Sequence, residues 1–199
     1  MYLVRNFYRD RPGYRCVQEA VRDNYLKHYG ATPEPKPDLF VCLTQADGAA
    51  PGFACLGITY GDSGTLFSEQ YLDESLDTSY AIGRARIAEI GAFASFQSGS
   101  GAGRYLLNTV LKTLALHNYG LVVLTATEQV RQILGQIDVS LDDLGQADHS
   151  RVKDQQVNWG TYYSQAPRVV ASRLSPPMSW EHKPLGLVRP QNYALAASA

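Results

Sequence analysis

The stretch from Ala85 to Thr127 constrains the fold of this 199-residue chain more than any other. It predicts, in order, an apolar strand (Ala85–Ala94), a small-residue loop (Ser98–Gly103), an amphipathic helix (Arg104–Asn118) and a second apolar strand (Leu121–Thr127). The positive end of a helix dipole favours an anion, and glycines let the backbone approach that anion closely. The stretch therefore predicts an α/β arrangement with a phosphate or pyrophosphate site at the loop.

The remaining hydrophobic pattern adds elements on both sides of this stretch. Because the chain has no internal repeat and no long linker, we expect one domain over residues 1–175 and a partly disordered C-terminal extension over residues 176–199. The pattern predicts helices at Tyr14–Tyr29 and Glu128–Ile137, a first strand at Met1–Phe7, an antiparallel hairpin of Leu39–Thr44 and Phe53–Tyr60, a late strand at Val169–Leu174, irregular structure over Gly61–Tyr80, and helix or loop over Leu141–Val157.

Composition narrows the classes of function. The formal net charge is −1, so the chain lacks the basic surface that nucleic-acid binding usually needs. Cys16, Cys42 and Cys55 form no C-x-x-C pair and no Cys/His cluster, so we expect buried, reduced thiols and no metal site. No apolar run has the length of a membrane span or a signal peptide. We therefore expect a cytoplasmic protein without stable membrane insertion.

Two common phosphate loops do not fit the glycine-rich segment. The Walker pattern requires Lys followed by Ser or Thr after the loop, whereas Arg104 follows Gly103 here. The dinucleotide-binding pattern could begin with Gly99 and Gly101, but Arg104 stands where its third glycine is required. No acidic residue ends the second strand, which closes with Thr127. A flavin or nicotinamide enzyme is therefore disfavoured.

The loop instead resembles the (Arg/Gln)-x-x-Gly-x-(Gly/Ala) loop of the GNAT acyltransferase superfamily. Gly101 and Gly103 match both small-residue positions, while Ser98 replaces the Arg or Gln. The resemblance implies a central mixed, mostly antiparallel sheet flanked by helices. It also implies that the strand before the loop splays from the next strand and binds the pantetheine arm of an acyl carrier. The implied carrier-binding residues are Gly91, Ala92, Phe93, Ala94, Ser98, Gly99, Ser100, Gly101, Ala102, Gly103 and Arg104.

Carboxylates and tyrosines supply candidate catalytic groups. Glu89 lies within the apolar strand, where burial would raise its pKa towards the range of a general base. A salt bridge to Arg84 or Arg86, or a solvent-facing position, is the alternative. A tyrosine could protonate a leaving thiolate, or it could serve only as a core or rim residue. The catalytic candidates are Glu89, Glu69, Tyr162 and Tyr163. The substrate-binding candidates are Gln70, Tyr71, Thr125, Thr127, Arg131 and Trp159.

Five segments occur in this order along residues 14–174: LFSEQYL, IAEIGAFA, LTATEQVR, the Ala147–Asp148 pair and WGTYYSQAPRVVAS. The first of them predicts a substrate lid or a packed loop. Together they resemble the thermostable hemolysin family. That family is similar in fold to the GNAT acyltransferases and the acyl-homoserine-lactone synthases, and its name records a cell-lysing phenotype. Thr59, Ala92 and Gln132 depart from the residues usual in the family, which suggests a different substrate.

These observations predict an N-acyltransferase that moves an acyl group from a coenzyme A or acyl-carrier-protein thioester to a small-molecule amine. A medium or long acyl chain is expected, because an amphiphilic product would explain lysis. A protein that lyses membranes directly is one alternative, disfavoured by the lack of a long amphipathic stripe. A non-catalytic binder of acyl ligands is another. Acyl carrier protein and a second copy of the chain are possible partners.

Overall fold

A computed structural model describes residues 2–137 and 139–175 of the chain, so the expected extension over residues 176–199 lies outside the described residues. Within these ranges the chain forms seven strands and four α-helices. The strands are β1 (Tyr2–Tyr8), β2 (Leu39–Gln45), β3 (Ala54–Tyr60), β4 (Ile87–Ser95), β5 (Leu121–Ala126), β6 (Asp142–Gln146) and β7 (Arg168–Arg173); the helices are α1 (Tyr14–Tyr29), α2 (Leu76–Tyr80), α3 (Ala102–Leu116) and α4 (Glu128–Leu134).

All seven strands join one sheet in the order β1-β2-β3-β4-β5-β7-β6. Among the described strands, β4 and β5 form the only parallel pair, and every other neighbouring pair is antiparallel. A parallel pair needs a crossover connection, which α3 supplies between them. The prediction of a mixed, mostly antiparallel sheet flanked by helices is confirmed.

The two faces of the sheet are covered by different elements. In β2, Leu39, Val41 and Leu43 belong to the cluster that packs with α3, whereas Phe40 and Cys42 pack with α1. This alternation follows from the two-residue period of a strand. The 3₁₀ helix Phe67–Tyr71 and α2 belong to a third cluster, which covers β5 and β7 on the same face as α1. The α1 face therefore has two covers, with a gap between them.

The parallel strands part halfway along their length, directly beneath that gap. Their pairing runs from Ile87 opposite Leu121 to Glu89 opposite Val123 and then stops, although β4 continues to Ser95 against β3. Farther along β4, Ala92 has a φ of 50°, and the pairing register of β4 with β3 shifts by one residue. This is a β-bulge, which bends and twists the strand that carries it. The result is an open cleft between β4 and β5.

Three expectations about local structure were wrong. Asp142–Gln146, predicted as helix or loop, is the edge strand β6. Its sequence is polar and largely exposed, which is typical of an edge strand. It lacks the alternation of apolar and polar residues that would have predicted a strand. Leu76–Tyr80 is helical although irregular structure was predicted there. Cys16 is exposed on α1, while Cys42 and Cys55 are buried as expected, and all three are free thiols.

The packing of α3 on the sheet makes a quantitative prediction. Leu106 is fully buried there, whereas Leu26 on α1 is 51% exposed. We expect Leu106→Ala to lower the free energy of unfolding by about 2–5 kcal/mol, because a buried cavity replaces the side chain. Leu26→Ala should change it by less than about 0.5 kcal/mol. Urea denaturation of both variants checks this, and similar losses in the two would contradict the assigned burial.

Candidate functional site

A cavity of about 470 Å³ opens on the α1 face where β4 and β5 part. Its floor comes from the two strands, including Glu89, Gly91 and Thr125. Its walls come from α1, the proline-rich segment Pro33–Pro37, the 3₁₀ helix and residues 152–162. Most of the lining surface is apolar, which is the usual composition of a small-molecule site. Its polar groups lie at the floor and in the walls, where the exposed charged side chains are Glu34, Lys36, Lys153 and Asp154.

Glu89 is the charged group of the floor, and its side chain is held from one side. The residue is 4% exposed. One carboxylate oxygen accepts a hydrogen bond from the Phe67 amide at 2.7 Å, and the other accepts from the Ser68 amide at 2.8 Å and the Ser68 hydroxyl at 2.5 Å. Because two of these donors are backbone amides, the bonds fix the 3₁₀ helix to β4.

The pKa of Glu89 lies above its ordinary value. Burial is the main cause, because it disfavours the charged form, and the charge of Glu69 acts in the same direction. The hydrogen bonds from Ser68 and Phe67 oppose this rise without cancelling it. The alternative, an ion pair of Glu89 with Arg84 or Arg86, does not form. Arg84 pairs with Glu69 and Asp77, and Arg86 donates to the carbonyl of Asn118.

A row of hydroxyls continues from Glu89 to the cavity. The Ser68 hydroxyl oxygen lies 2.9 Å from the hydroxyl oxygen of Thr125, and Ser68 itself is fully buried. Thr125, on β5, lines the cavity just beyond the last paired residues of the two strands. Tyr162 donates a hydrogen bond of 3.3 Å to the Thr125 carbonyl oxygen. The polar floor is therefore shared by β4, β5, the 3₁₀ helix and the segment after β6.

Glu69, the second carboxylate predicted as catalytic, lies outside the cavity lining. Its carboxylate accepts from the Leu66 and Leu76 amides and forms a 2.7 Å ion pair with Arg84. Burial raises the pKa of Glu69, but these hydrogen bonds outweigh that effect and bring the pKa below its ordinary value. The geometry describes a carboxylate that ties the 3₁₀ helix to α2 and to Arg84 ahead of β4.

Aromatic rings form one wall of the cavity. Trp159 packs between Phe67, at 5.7 Å between ring centroids, and Tyr162, at 5.3 Å, and Tyr25 of α1 stacks on Tyr162. These four rings line the cavity. Burial raises the pKa of Tyr162 well above its ordinary value, so its phenol is protonated at neutral pH. Tyr163 lies outside the lining.

The Leu66–Leu72 segment is both packed and exposed to the cavity. Leu66, Ser68 and Tyr71 are buried, as expected for the packed-loop alternative. Phe67 and Gln70 line the cavity at the same time. Tyr71 lies beneath, with its hydroxyl 2.6 Å from that of Tyr163.

The glycine-rich loop follows β4 and begins α3, as predicted, but it does not line the cavity. Gly101 has a φ of 73° and open space around it, a conformation that favours glycine. Gly103 packs under Phe93, since a Cβ there would come within 2.7 Å of that ring. At the start of α3 the Ala102 amide donates to the Ser100 hydroxyl oxygen at 3.3 Å, and the Tyr105 amide donates to the Gly101 carbonyl oxygen at 3.0 Å. Ala102 and Gly103 are buried, and Arg104 is exposed.

The other predicted site residues fall into two groups. Gln70 and Trp159 line the cavity, together with Thr125 and two of the carrier-binding positions, Gly91 and Ala92. Thr127 is buried and lies outside the lining, and Arg131 donates to the carbonyls of Ala126 and Ala166. Thr59 and Ala92, which depart from the family pattern, both line the cavity, while Gln132 is exposed on α4.

Sequence reasoning missed several parts of the site. Ser68 carries no motif of its own, and only its place inside the LFSEQYL segment could have drawn attention to it. Tyr25 and the Pro33–Pro37 segment were not among the predicted site residues. Both line the cavity because the chain returns over the cleft after α1. Such long-range placement leaves no local pattern.

The fold is GNAT-like, and solved acyltransferases share it. FeeM, an N-acyl amino acid synthase from uncultured soil microbes, matches with a TM-score of 0.57 at 15% identity, covering 88% of this chain and 92% of that chain. The AHL synthase LasI matches with a TM-score of 0.56 at 12% identity, covering 88% of this chain and 91% of that chain. A GCN5-related N-acetyltransferase from Kribbella flavida matches with 0.51 at 12% identity, over 87% and 98%. At these identities the likeness concerns the fold alone.

The sequence itself identifies the family. Residues 7–178 match the family described as thermostable hemolysin, so the chain belongs to that family, as the five ordered segments predicted. No curated protein matches the chain by sequence. Among the residues that the structure describes, no group of three or more His, Cys, Asp or Glu side chains could hold a metal ion. In the same residues, no helix has the length and apolar character needed to cross a bilayer.

The contrast between the two carboxylates can be tested on stability. Glu69 has a lowered pKa in the folded protein, so its contribution is present above its unfolded pKa of about 4.3 and is lost as the pH falls through its folded pKa. We expect Glu69→Gln to lower the free energy of unfolding by about 1–3 kcal/mol at neutral pH and by less in acid.

Urea denaturation as a function of pH measures this difference. Glu19→Gln on α1 is the matched control, because that side chain is 66% exposed and its pairing with Arg15 is at the surface. A loss for Glu69→Gln that stayed constant down to pH 3 would contradict the ion-pair account.

Proposed function

We propose that this protein is an N-acyltransferase that moves a medium or long acyl group from a coenzyme A or acyl-carrier-protein thioester to a small-molecule amine. The observation that carries the proposal is the buried Glu89 at the floor of an apolar cavity, at the point where β4 and β5 part. A thioester, an amine and a base could meet there.

The thioester donor is assigned to the cleft and the glycine-rich loop. Beyond Glu89 the β5-facing edge of β4 has no strand partner, so its backbone groups can hydrogen-bond an extended pantetheine arm along Gly91–Ala94. The phosphates would bind the amides of Ser98–Arg104, where the α3 dipole favours negative charge. Coenzyme A and the phosphopantetheine of a carrier protein share this chemistry.

The chemistry follows from the groups on the floor. Glu89 takes a proton from the acceptor amine, and the amine nitrogen then attacks the thioester carbonyl carbon. Backbone N–H groups of β4 near the bulge stabilise the oxyanion. The C–S bond breaks, the amide nitrogen keeps its remaining hydrogen, and the thiolate leaves. Of the two tyrosines predicted as catalytic, Tyr162 lines the cavity and Tyr163 does not, so Tyr162 is the one that can contact the reacting groups.

The walls of the cavity favour an acyl chain longer than acetyl. The lining has more apolar surface than an acetyl group would need. This surface comes from the wall of aromatic rings, Ile90, Val152 and the Pro33–Pro37 segment. FeeM is an N-acyl amino acid synthase and LasI an AHL synthase, and both share the fold of this chain. The free thiols of Cys16, Cys42 and Cys55 are compatible with a reducing cytoplasm.

Thermal unfolding with and without thioesters tests the donor. The ligands are coenzyme A and its acetyl, octanoyl and palmitoyl thioesters. A ligand at 100 times its dissociation constant adds about 2.7 kcal/mol, or roughly 5–10 °C in the midpoint for a domain of this size. We expect the shift to grow with chain length. If neither the thioesters nor acylated carrier protein changed the unfolding midpoint, the proposed donor site would be contradicted.

Glu89→Gln tests the base. We expect the rate of acyl transfer to fall by about 10²–10⁴-fold, because proton abstraction is lost, while the thioester still raises the unfolding midpoint. Glu19→Gln on α1 should retain the wild-type rate. If Glu89→Gln kept full turnover, Glu89 would not be the base. A wild-type protein that bound thioesters without turnover would be a non-catalytic binder.

A further inference from the structure

The polarity of the hydrogen bonds on the cavity floor is fixed by Glu89. An ionised carboxylate only accepts hydrogen bonds, so the Ser68 hydroxyl must donate its single hydrogen to Glu89 across 2.5 Å. The amide of Ser68 donates to the same oxygen at 2.8 Å, which holds the serine in place. Towards its other neighbour the Ser68 hydroxyl oxygen can therefore only accept a hydrogen bond.

That neighbour is Thr125, 2.9 Å away. Since Ser68 has no second hydrogen, the Thr125 hydroxyl donates to Ser68 and keeps only lone pairs for the cavity. The same reasoning applies to Tyr162, because its hydrogen is directed at the Thr125 carbonyl oxygen. The floor therefore offers acceptors from three side chains and no hydroxyl donor among them.

A floor of acceptors selects a ligand group with several donors. A primary ammonium has three N–H hydrogens and a positive charge, which match Glu89 and the hydroxyl oxygens of Thr125 and Tyr162. A hydroxyl has one hydrogen and would leave buried acceptors unsatisfied. The rings of Phe67 and Trp159 beside the floor add favourable contact with a cation.

We propose that the acceptor binds as a primary ammonium and that Thr125, Ser68 and Glu89 form a proton relay that deprotonates it. This inference rests on the proposed acyl transfer. One ammonium proton moves to the Thr125 oxygen as the Thr125 proton moves to Ser68 and the Ser68 proton moves to Glu89. The neutral amine attacks the thioester, its second proton leaves with the thiolate, and Glu89 later releases its proton to solvent. Ser68 is a positioning residue, because it acts through Thr125 and Glu89.

Other titratable groups surround the relay and do not replace it. Glu69 is on the same 3₁₀ helix, but it is paired with Arg84. Tyr71 lies beneath that helix, its hydroxyl bonded to Tyr163. Tyr162 faces the floor from the segment after β6. The other charged side chains of the lining are all exposed at its outer walls: Glu34, Lys36, Lys153 and Asp154. Glu89 is therefore the buried charged acceptor for the proton.

Acceptor binding is tested without a thioester, so that its outcome is independent of turnover. The probes are n-butylammonium, N-methylbutylammonium and butyltrimethylammonium, followed by calorimetry. We expect affinity to fall along this series and to fall about tenfold for n-butylammonium in Thr125→Val, which has a similar shape and no hydroxyl. Equal or tighter binding of the quaternary cation would overturn the acceptor-only floor and leave an aromatic cation site.

The relay is tested by the pH profile of kcat/KM for octanoyl transfer to n-butylamine. In the wild type the ammonium reacts with ionised Glu89, so the profile should be level between the pKa of Glu89 and that of the amine. In Thr125→Val and Ser68→Ala the amine must arrive neutral. Their kcat/KM should fall by about 10²-fold or more at neutral pH and rise tenfold per pH unit.

Matched variants separate this relay from a structural effect. Thr125→Ser keeps the hydroxyl and should restore the level profile. Ser172→Ala removes another buried serine hydroxyl, on β7 and away from the cavity, and should leave the profile unchanged. A level profile in Thr125→Val would overturn the relay. If no thioester were turned over by the wild type while n-butylammonium were preferred, the proposed function and the relay would fail and the ammonium site would stand.

Discussion

The site depends on a single buried charge and the donors that surround it. Placing Glu89 beneath two covering elements is costly unless its oxygens are satisfied, and the amides of Phe67 and Ser68 satisfy them. The same bonds dock the 3₁₀ helix on β4, which brings Phe67 and Gln70 to the cavity wall. The charge of Glu89, the position of the 3₁₀ helix and the shape of the cavity therefore depend on one set of hydrogen bonds.

The parting of β4 and β5 supplies the space in which that charge can work. Three residue pairs, ending at Glu89 opposite Val123, hold the strands together. Beyond them the bulge at Ala92 bends β4 away from β5. Because the sheet is continuous on either side, the cleft is bounded by rigid strands. Its polar floor is consequently preorganised by the fold, while loops such as Pro33–Pro37 supply the variable walls.

Much of the fold could be predicted from the sequence, because α3 and its flanking strands have strong periodicity and a glycine-rich loop between them. β6 could not, since Asp142–Gln146 is polar and acquires strand geometry only by pairing with β7. For the site, Glu89 stood out as a carboxylate in an apolar strand. Its partner Ser68 did not, because a contact across 21 positions has no local signature, and the nearby arginines were the more obvious candidates.

The backbone at Ala92 also limits which side chains this position can accept. Its φ of 50° is strained for alanine and tolerated by glycine or asparagine. A larger or β-branched side chain would have to overcome that strain before it could contact a ligand. New specificities are therefore more accessible through Thr59 on β3 and through the proline-rich wall than through the bent strand.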